Sequence, residues 1–198
     1  NILPWRESGA EVVEIAECSH GGPDAAALDA ALAVPADLVV CAFSAASNVT
    51  GIVTDVAGVT RRIKAAGAKA VWDYAGAGPY LPIAMTPAED VDIDALVVSP
   101  HKFIGGPGAS GVLIVRRNAV VTSKPSWPGG GTVKFVSPAG HDYSDSLEAR
   151  EEAGTPNVVG DIRAALAFLV KDALGAEAML KRNMELTRRA LAAWDCVE

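Results

Sequence analysis

The sequence predicts an α/β fold in which a mainly parallel sheet is flanked by helices. Short apolar runs alternate with helix-like stretches over the first two thirds of the chain, and each run has the length of an ordinary strand. The run at 37–43 is almost continuously apolar, which is typical of a strand covered on both faces. Strands that alternate with helices at this spacing indicate βαβ units and therefore a mainly parallel sheet.

The first half of the chain is predicted to form two strands and two helices. In order, these are strand 11–16, helix 23–33, strand 37–43 and helix 54–66. The first strand is predicted because its residues alternate like those of a half-buried strand. Asp24 is an acid near the start of the first helix, and Thr54 is the expected N-cap of the second.

The second half is predicted to begin with three more strands and to end with two helices. The strands are 68–73, 93–99 and 111–116, and the helices are 158–173 and 176–194. Between them, 125–131 and 137–146 lack periodicity and are predicted to be loops. Trp72 is predicted to pack beneath the sheet, and Cys41 to be a small buried hydrophobic residue.

The composition indicates a folded protein with a substantial core and excludes several classes of function. Half of the 198 residues are hydrophobic and 21% are charged, as in globular domains. The net charge is −7, which argues against a general binder of nucleic acids or anionic membranes, because such proteins cluster Lys and Arg. No uninterrupted apolar stretch reaches the ~18 residues of a membrane-spanning helix.

The three cysteines are widely separated, and none belongs to a CxxC pair. We therefore expect no disulfide framework and no metal site, and we expect a protein of the reducing cytoplasm. The chain begins at Asn1 with neither an initiator methionine nor a signal-peptide pattern, and it ends directly after a helical run. We expect it to be a piece of a longer polypeptide.

Polar side chains follow three of the predicted strands at the points where the strands end. Asp73 closes one strand, Asn48 follows another, and Ser99, His101 and Lys102 follow a third. In open α/β sheets, ligands bind outside the carboxyl ends of the strands, so we expect these side chains to line one crevice.

A lysine and an aspartate on different strands fit either a simple ion pair or a pyridoxal phosphate site. Pyridoxal phosphate needs a lysine amine to form an imine and a carboxylate beside its pyridine nitrogen. The carboxylate keeps that nitrogen protonated, so that the ring accepts electrons when a bond at the substrate Cα breaks. The lysine must lose its proton to act as a nucleophile, which burial or a neighbouring cation favours.

The segments around these residues resemble those of the class V aminotransferases, a family that includes the cysteine desulfurases and the selenocysteine lyases. The stretch 93–102, with 108–112, resembles the family's cofactor-lysine signature, although Pro100 stands where a small residue is usual. The other matching segments are NILPW at 1–5, SNVTG at 47–51, WDYA at 72–75, the triple glycine at 129–131 and REEAGTPN at 150–157. Their order along the chain is that of the family.

The resemblance implies a role for each residue at the strand ends. Lys102 resembles the lysine that forms the internal imine with pyridoxal 5'-phosphate, and Asp73 resembles the aspartate paired with the pyridinium nitrogen. Asn48 resembles the asparagine near the ring oxygen and the substrate. Ser99 and His101 resemble residues that hold the phosphate.

The resemblance also implies an assembly and a domain organisation. Gly154 and Thr155 resemble a segment that reaches the phosphate of a partner subunit, so we expect a homodimer. The fold expected is that of the large domain of fold-type I pyridoxal-phosphate enzymes. Residues 1–174 would form part of this cofactor-binding domain, and 175–198 a helix leading towards a small C-terminal domain that the chain lacks.

The activity implied is cysteine desulfurase or selenocysteine lyase chemistry on a small amino acid. Gly76 departs from the family, because desulfurases commonly have a glutamine there that reaches the ring oxygen. Transamination and epimerisation of other amino acids therefore stay open. A hypothesis of another class also stays open, in which the chain is an inactive fragment that acts only by association through uncovered strand edges.

Overall fold

The computed structural model describes residues 2–194, which contain two sheets and six α-helices. The α-helices are α1 (Ile2–Arg6), α2 (Ala25–Leu32), α3 (Val56–Ala65), α4 (Leu147–Glu151), α5 (Val158–Leu174) and α6 (Ala176–Ala193). The strands are β1 (Val40–Ser44), β2 (Lys69–Asp73), β3 (Ala95–Val98), β4 (Val112–Val115), β5 (Val133–Ser137) and β6 (Gly140–Tyr143). Two 3₁₀ turns follow β3 and β4, at Pro100–Lys102 and Arg117–Ala119.

The main sheet has the strand order β1-β2-β3-β4. β1, β2 and β3 are parallel, and β4 is antiparallel to β3. Asp73, the last residue of β2, pairs with Ser44 on one side and with Val97 on the other. This register confirms the predicted α/β fold and places the carboxyl ends of three strands at one edge of the sheet.

The core lies on one face of this sheet and is centred on Trp72, which is 0% exposed. Its indole nitrogen donates a hydrogen bond of 2.8 Å to the Thr60 hydroxyl on α3, and its ring packs 6.1 Å from that of Phe43. The predicted buried position of Trp72 is therefore confirmed. Because side chains alternate along a strand, the neighbouring Asp73 lies on the opposite face.

Asp94 is a buried carboxylate that directly precedes β3 and bonds to residues of both α3 and β2. Its Oδ2 accepts hydrogen bonds from Lys64 Nζ at 2.7 Å and from the Ala70 N–H at 2.9 Å. Lys69 Nζ lies 3.4 Å from Oδ1. Burial by itself raises the pKa of Asp94, but the hydrogen bonds and the two ammonium groups outweigh it and hold that pKa below its ordinary value.

Asp94→Asn is expected to lower the free energy of unfolding at pH 7 by about 1–3 kcal/mol, because it leaves two half-buried ammonium groups without their carboxylate. A carboxyl with a lowered folded-state pKa stabilises the protein above its unfolded pKa, and this stability is lost as pH falls through the folded-state pKa. The difference between the wild type and the variant should therefore shrink below about pH 4. Urea unfolding from pH 3 to 8 measures this, and a difference that does not change with pH would contradict it.

The predicted strand at 11–16 is wrong. These residues have no regular secondary structure and are largely exposed, and the neighbouring bridge is a single isolated pair, Glu17 with Pro23. Within residues 2–194, no strand lies beside this segment to complete its hydrogen bonds. Alternation alone does not make a strand when no partner edge is present.

Two predictions of local structure also need correction around α3 and β1. The N-cap of α3 is Asp55, whose side chain accepts a hydrogen bond from the Gly58 N–H at 2.9 Å. Thr54 instead donates its hydroxyl proton to the Ser44 carbonyl at 3.0 Å, which closes the loop after β1. Cys41 is only half-buried in this chain, and partial burial raises the pKa of its thiol.

The stretch predicted as a loop over 137–146 contains the strand β6, which forms a β-hairpin with β5. β5 and β6 pair antiparallel, with a register irregularity between Val133 and Phe135. His141 lies on the exposed β6, where its ring packs edge-on against Tyr143 at 4.9 Å. The hairpin depends on backbone hydrogen bonds and buries little, so its sequence carries no strong apolar period.

The two long C-terminal helices lie where they are predicted. α5 is capped by Asn157 and ends at Gly175, from which α6 begins directly. Among the helices described in residues 2–194, none has the length and apolar character needed to cross a membrane. The division of the chain at residue 174 stays a prediction, and Cys196 lies outside the described residues.

Candidate active site

The loop after β1 is a tight turn organised by Ser47. Its hydroxyl accepts hydrogen bonds from the Val49 and Thr50 N–H groups at 3.3 and 3.2 Å, and Gly51 has the left-handed φ of +74° that the turn requires. These bonds present Asn48 at the tip of the loop, exposed. Within residues 2–194 its side-chain amide has no hydrogen-bond partner, so it is available to a ligand.

Asp73 is half-buried at the end of β2. The Ala75 N–H donates to its Oδ1 at 2.7 Å, and no group in the described part of the chain bonds to Oδ2. Hydrogen bonds to the two neighbouring strands fix the backbone around Asp73. The Ala45 N–H donates to the Asp73 carbonyl, and the Tyr74 N–H donates to the Val97 carbonyl, each at 2.9 Å. One carboxylate oxygen of a side chain at the strand end is therefore left without a hydrogen bond within residues 2–194.

The turn after β3 carries the lysine. The Lys102 N–H donates to the Ser99 carbonyl at 3.0 Å, and buried Pro100 opens this 3₁₀ turn, in which its fixed φ is compatible. Ser99 is half-buried, but its hydroxyl does not cap the turn. His101 and Lys102 are exposed. In the described residues, neither of these two side chains forms an ion pair or a hydrogen bond.

A cleft of about 730 Å³ opens beside Asn48. Its walls are the loop at 46–53, the segment at 76–81 and one side of α6. Gly76 faces Asn48 here, because a Cβ placed on Gly76 would lie 3.8 Å from the Asn48 Cβ. That is an ordinary contact distance, so the backbone has room for a larger side chain at position 76.

Gly154 and Thr155 lie on an exposed segment that leads into α5. Gly154 has a φ of +90°, and its N–H donates to the Gly130 carbonyl at 2.7 Å. No hydrogen bond joins this segment to Asp73 or Lys102 within residues 2–194. Five of the seven predicted site residues thus lie at or follow the carboxyl ends of β1, β2 and β3, whereas Gly154 and Thr155 precede α5.

Ser110 forms hydrogen bonds with the start of α5, a role that was not predicted from the sequence. Its hydroxyl accepts a hydrogen bond from the Asn157 side chain at 3.4 Å, and its N–H donates to the Gly160 carbonyl at 3.1 Å. A Cβ on Gly160 would lie 2.6 Å from the Ser110 hydroxyl, so glycine is required for this approach. The glycine-rich motif around Ser110 was the available signal. It did not reveal the partner, which is 47 residues away.

The groups at the sheet edge match what pyridoxal phosphate requires. Within residues 2–194 they include an amine without a partner and a carboxylate with one oxygen that accepts no hydrogen bond, and a hydroxyl and an imidazole lie on the same turn as the amine. In the part of the chain that the structure describes, Asp73 and Lys102 are not paired with each other. A simple ion pair, the alternative explanation for these two residues, is therefore not what the fold forms.

Comparison with known proteins identifies the family. The sequence profile of the family "Aminotransferase class-V" matches residues 1–197. Similar proteins include a "Cysteine desulfurase" of Enterobacter sp., 35% identical over 97% of this chain and 47% of the relative. A "Probable cysteine desulfurase 2" of Mycobacterium leprae is 30% identical over 96% of this chain and 44% of the relative. The chain thus spans about half the length of the curated relatives it matches.

Solved structures show the same similarity. The cysteine desulfurase of Thermococcus onnurineus matches with a TM-score of 0.82 and 26% identity, over 98% of this chain and 48% of that protein. The cysteine desulfurase CsdA of Escherichia coli matches with a TM-score of 0.82 and 27% identity, over the same shares of the two chains. Profile, sequence and fold agree along nearly the whole chain, which therefore belongs to the aminotransferase class-V family.

Proposed function

We propose that this chain is the lysine-bearing part of a pyridoxal-phosphate-dependent enzyme that acts on a small amino acid by cysteine desulfurase-type chemistry. The observation that carries the proposal is the delivery of Asp73 and Lys102 to the same sheet edge by adjacent parallel strands without pairing to each other. Asp94 and Lys64, by contrast, form an ion pair of 2.7 Å within the same sheet region.

The proposed roles follow from the chemistry of each side chain. When bound, pyridoxal phosphate supplies an aldehyde carbon and an electron-accepting ring. The Asp73 carboxylate keeps a proton on a ring nitrogen, and Asn48 contributes an amide donor at the mouth of the cleft. Ser99 and His101 supply a hydroxyl and an imidazole for an anionic group. Lys102 Nζ would attach the cofactor, and its amine would serve as the base that takes a proton from the substrate Cα and returns it.

The proposed substrate is cysteine, and this rests on the names of the relatives; its selenium analogue is proposed only from the resemblance of the sequence motifs to the family. Gly76 leaves the cleft wider beside Asn48 than a glutamine would. Transamination and epimerisation of other amino acids remain alternatives for that reason. For Gly154 and Thr155 we propose contact with the phosphate bound by a second copy, which their exposure permits.

The second candidate function, association without catalysis, is favoured by one feature of α5. Apolar side chains recur along one side of this helix and remain more than half exposed; they are Val158, Val159, Ile162, Leu166 and Leu169. A helix face of this kind normally packs against other protein. The same face is expected in an enzyme of which this chain is a part, so it does not by itself argue against catalysis.

The proposal is tested by trapping the cofactor on the lysine in the full-length polypeptide. After incubation with pyridoxal phosphate, borohydride reduction makes the link between cofactor and lysine permanent, and peptide mass spectrometry locates it. We expect near-stoichiometric labelling of Lys102 and none of Lys181, an exposed lysine of α6. Labelling spread over surface lysines, or no labelling, would refute the proposal and favour association without catalysis.

A further inference from the structure

Lys171, on the last turns of α5, makes contacts that the proposed function does not use. Its half-buried ammonium donates hydrogen bonds of 2.6 Å to the carbonyl oxygens of both Gly78 and Leu81. These carbonyls belong to the segment that follows β2. A side chain of one helix therefore holds two backbone groups of a loop that is distant in sequence.

The same ammonium also lies against the turn that bears Lys102. Its nitrogen is 5.4 Å from the centre of the Phe103 ring, and Phe103 directly follows Lys102 in the chain. The Phe103 ring packs edge-on against Phe168, one turn earlier on α5, at 5.1 Å. It also approaches Gly78, where an added Cβ would lie 3.1 Å from the Phe103 Cε1.

The electrostatic surroundings of Lys171 are unusual for a lysine. Among the residues that the structure describes, no carboxylate pairs with it, and burial lowers its pKa. A partly desolvated ammonium is costly unless its protons are bonded, and here the backbone carbonyls and an aromatic face provide that compensation. Such a group stabilises one particular arrangement of the loop and the turn that it contacts.

Both contacted segments adjoin the site. The segment at 74–81 follows directly from Asp73 and carries Gly76 beside Asn48. The turn at 99–103 carries Lys102. The side chain of Lys171, which extends from α5, therefore contacts both the loop and the turn.

We propose that Lys171 is a positioning residue, which holds the loop after Asp73 and the turn after Lys102 in a fixed relation and so sets the carboxylate-to-amine geometry of the site. The inference rests on the proposed function in one respect, since the geometry matters only if a cofactor lies between the two groups. The contacts by which Lys171 couples the loop to the turn do not depend on the cofactor.

The test compares Lys171→Met and Lys171→Arg in the full-length protein with Lys181→Met as the matched control. Lys171→Met keeps the apolar stem and removes the donor, whereas Lys171→Arg restores donors of the same charge. Without cofactor, amide hydrogen exchange within 75–81 and 99–104 is expected to be about ten- to a hundredfold faster in Lys171→Met and unchanged in Lys181→Met, since bonds to a charged group are lost. In Lys171→Arg the increase in the logarithm of the exchange rate should be at most half of that in Lys171→Met.

The second readout is the cofactor itself. In Lys171→Met we expect the dissociation constant for pyridoxal phosphate to rise about tenfold, equivalent to one such hydrogen bond, together with a shift in the visible absorption maximum of the bound cofactor. A structural role alone would lower the melting temperature and leave that maximum unchanged. If Lys171→Met does not fold, Lys171→Gln is measured instead, because its shorter amide removes the charge and keeps a polar group.

The outcomes separate this inference from the function it rests on. A wild-type protein that shows no Lys102-dependent absorption contradicts the proposed function, whatever Lys171 does to hydrogen exchange. A wild type with that absorption and a Lys171→Met variant with the same absorption maximum and affinity contradicts the positioning role. Faster exchange spread evenly over the whole chain also contradicts it, because the contacts are confined to two segments.

Discussion

Lys102→Ala in the full-length polypeptide is expected to lower the turnover of the amino acid substrate by about 10²- to 10⁴-fold from lost proton transfer alone. Alanine at this position also removes the amine that attaches the cofactor, so the visible absorption of the attached cofactor should disappear. The fold should be unaffected, because Lys102 is exposed and its side chain bonds to nothing else in residues 2–194. Steady-state assays with cysteine, selenocysteine and other amino acids measure the loss.

Lys181→Ala is the control for this experiment. Lys181 is also exposed, on α6, and is not among the residues that line the cleft. It should leave both turnover and absorption at the wild-type level. Equal losses in the two variants, or full turnover in Lys102→Ala, would show that the amine of Lys102 is not the group that acts on the substrate.

Trp72→Ala is expected to cause the largest loss of stability of any single substitution considered, about 3–5 kcal/mol from the lost contacts and the cavity. Removing the indole also deprives the buried Thr60 hydroxyl of its 2.8 Å donor, which adds about 1–3 kcal/mol. Native domains have a free energy of unfolding of only about 5–15 kcal/mol, so the variant should lose most or all of its stability. Urea unfolding followed by circular dichroism measures the change.

Two further variants divide that loss into its parts. Trp72→Phe retains one aromatic ring beside Phe43 and removes the indole donor with the second ring, so its cost should fall to about 1–3 kcal/mol. Trp127→Ala is the matched control, because Trp127 is 77% exposed, and it should change stability by less than about 0.5 kcal/mol. An equal loss at positions 72 and 127 would contradict the assignment of the core.

The extent of sequence-based prediction differs between particular elements for physical reasons. β2 was predicted to within a residue because alternation, burial and a terminal acid coincide in KAVWD. Residues 11–16 carry a similar alternation but have no partner strand in the described chain, and a strand exists only when another backbone completes its hydrogen bonds. The β5–β6 hairpin is the opposite case, since the polar sequence GHDY of β6 has no apolar alternation and still pairs with β5, which is close to it in the chain.

The site divides in the same way. The strand-end positions of Asp73 and Lys102, and the order of motifs that marks the family, can be inferred from residue types and spacing, because parallel strands necessarily end at one edge. Three other features follow only from tertiary packing. Asp55 caps α3, Asp94 is buried between two lysines, and Lys171 donates a hydrogen bond to the Gly78 carbonyl, 93 residues away. Contacts between distant segments leave no periodic or local pattern in the sequence, because packing and desolvation in the folded chain determine which residues meet.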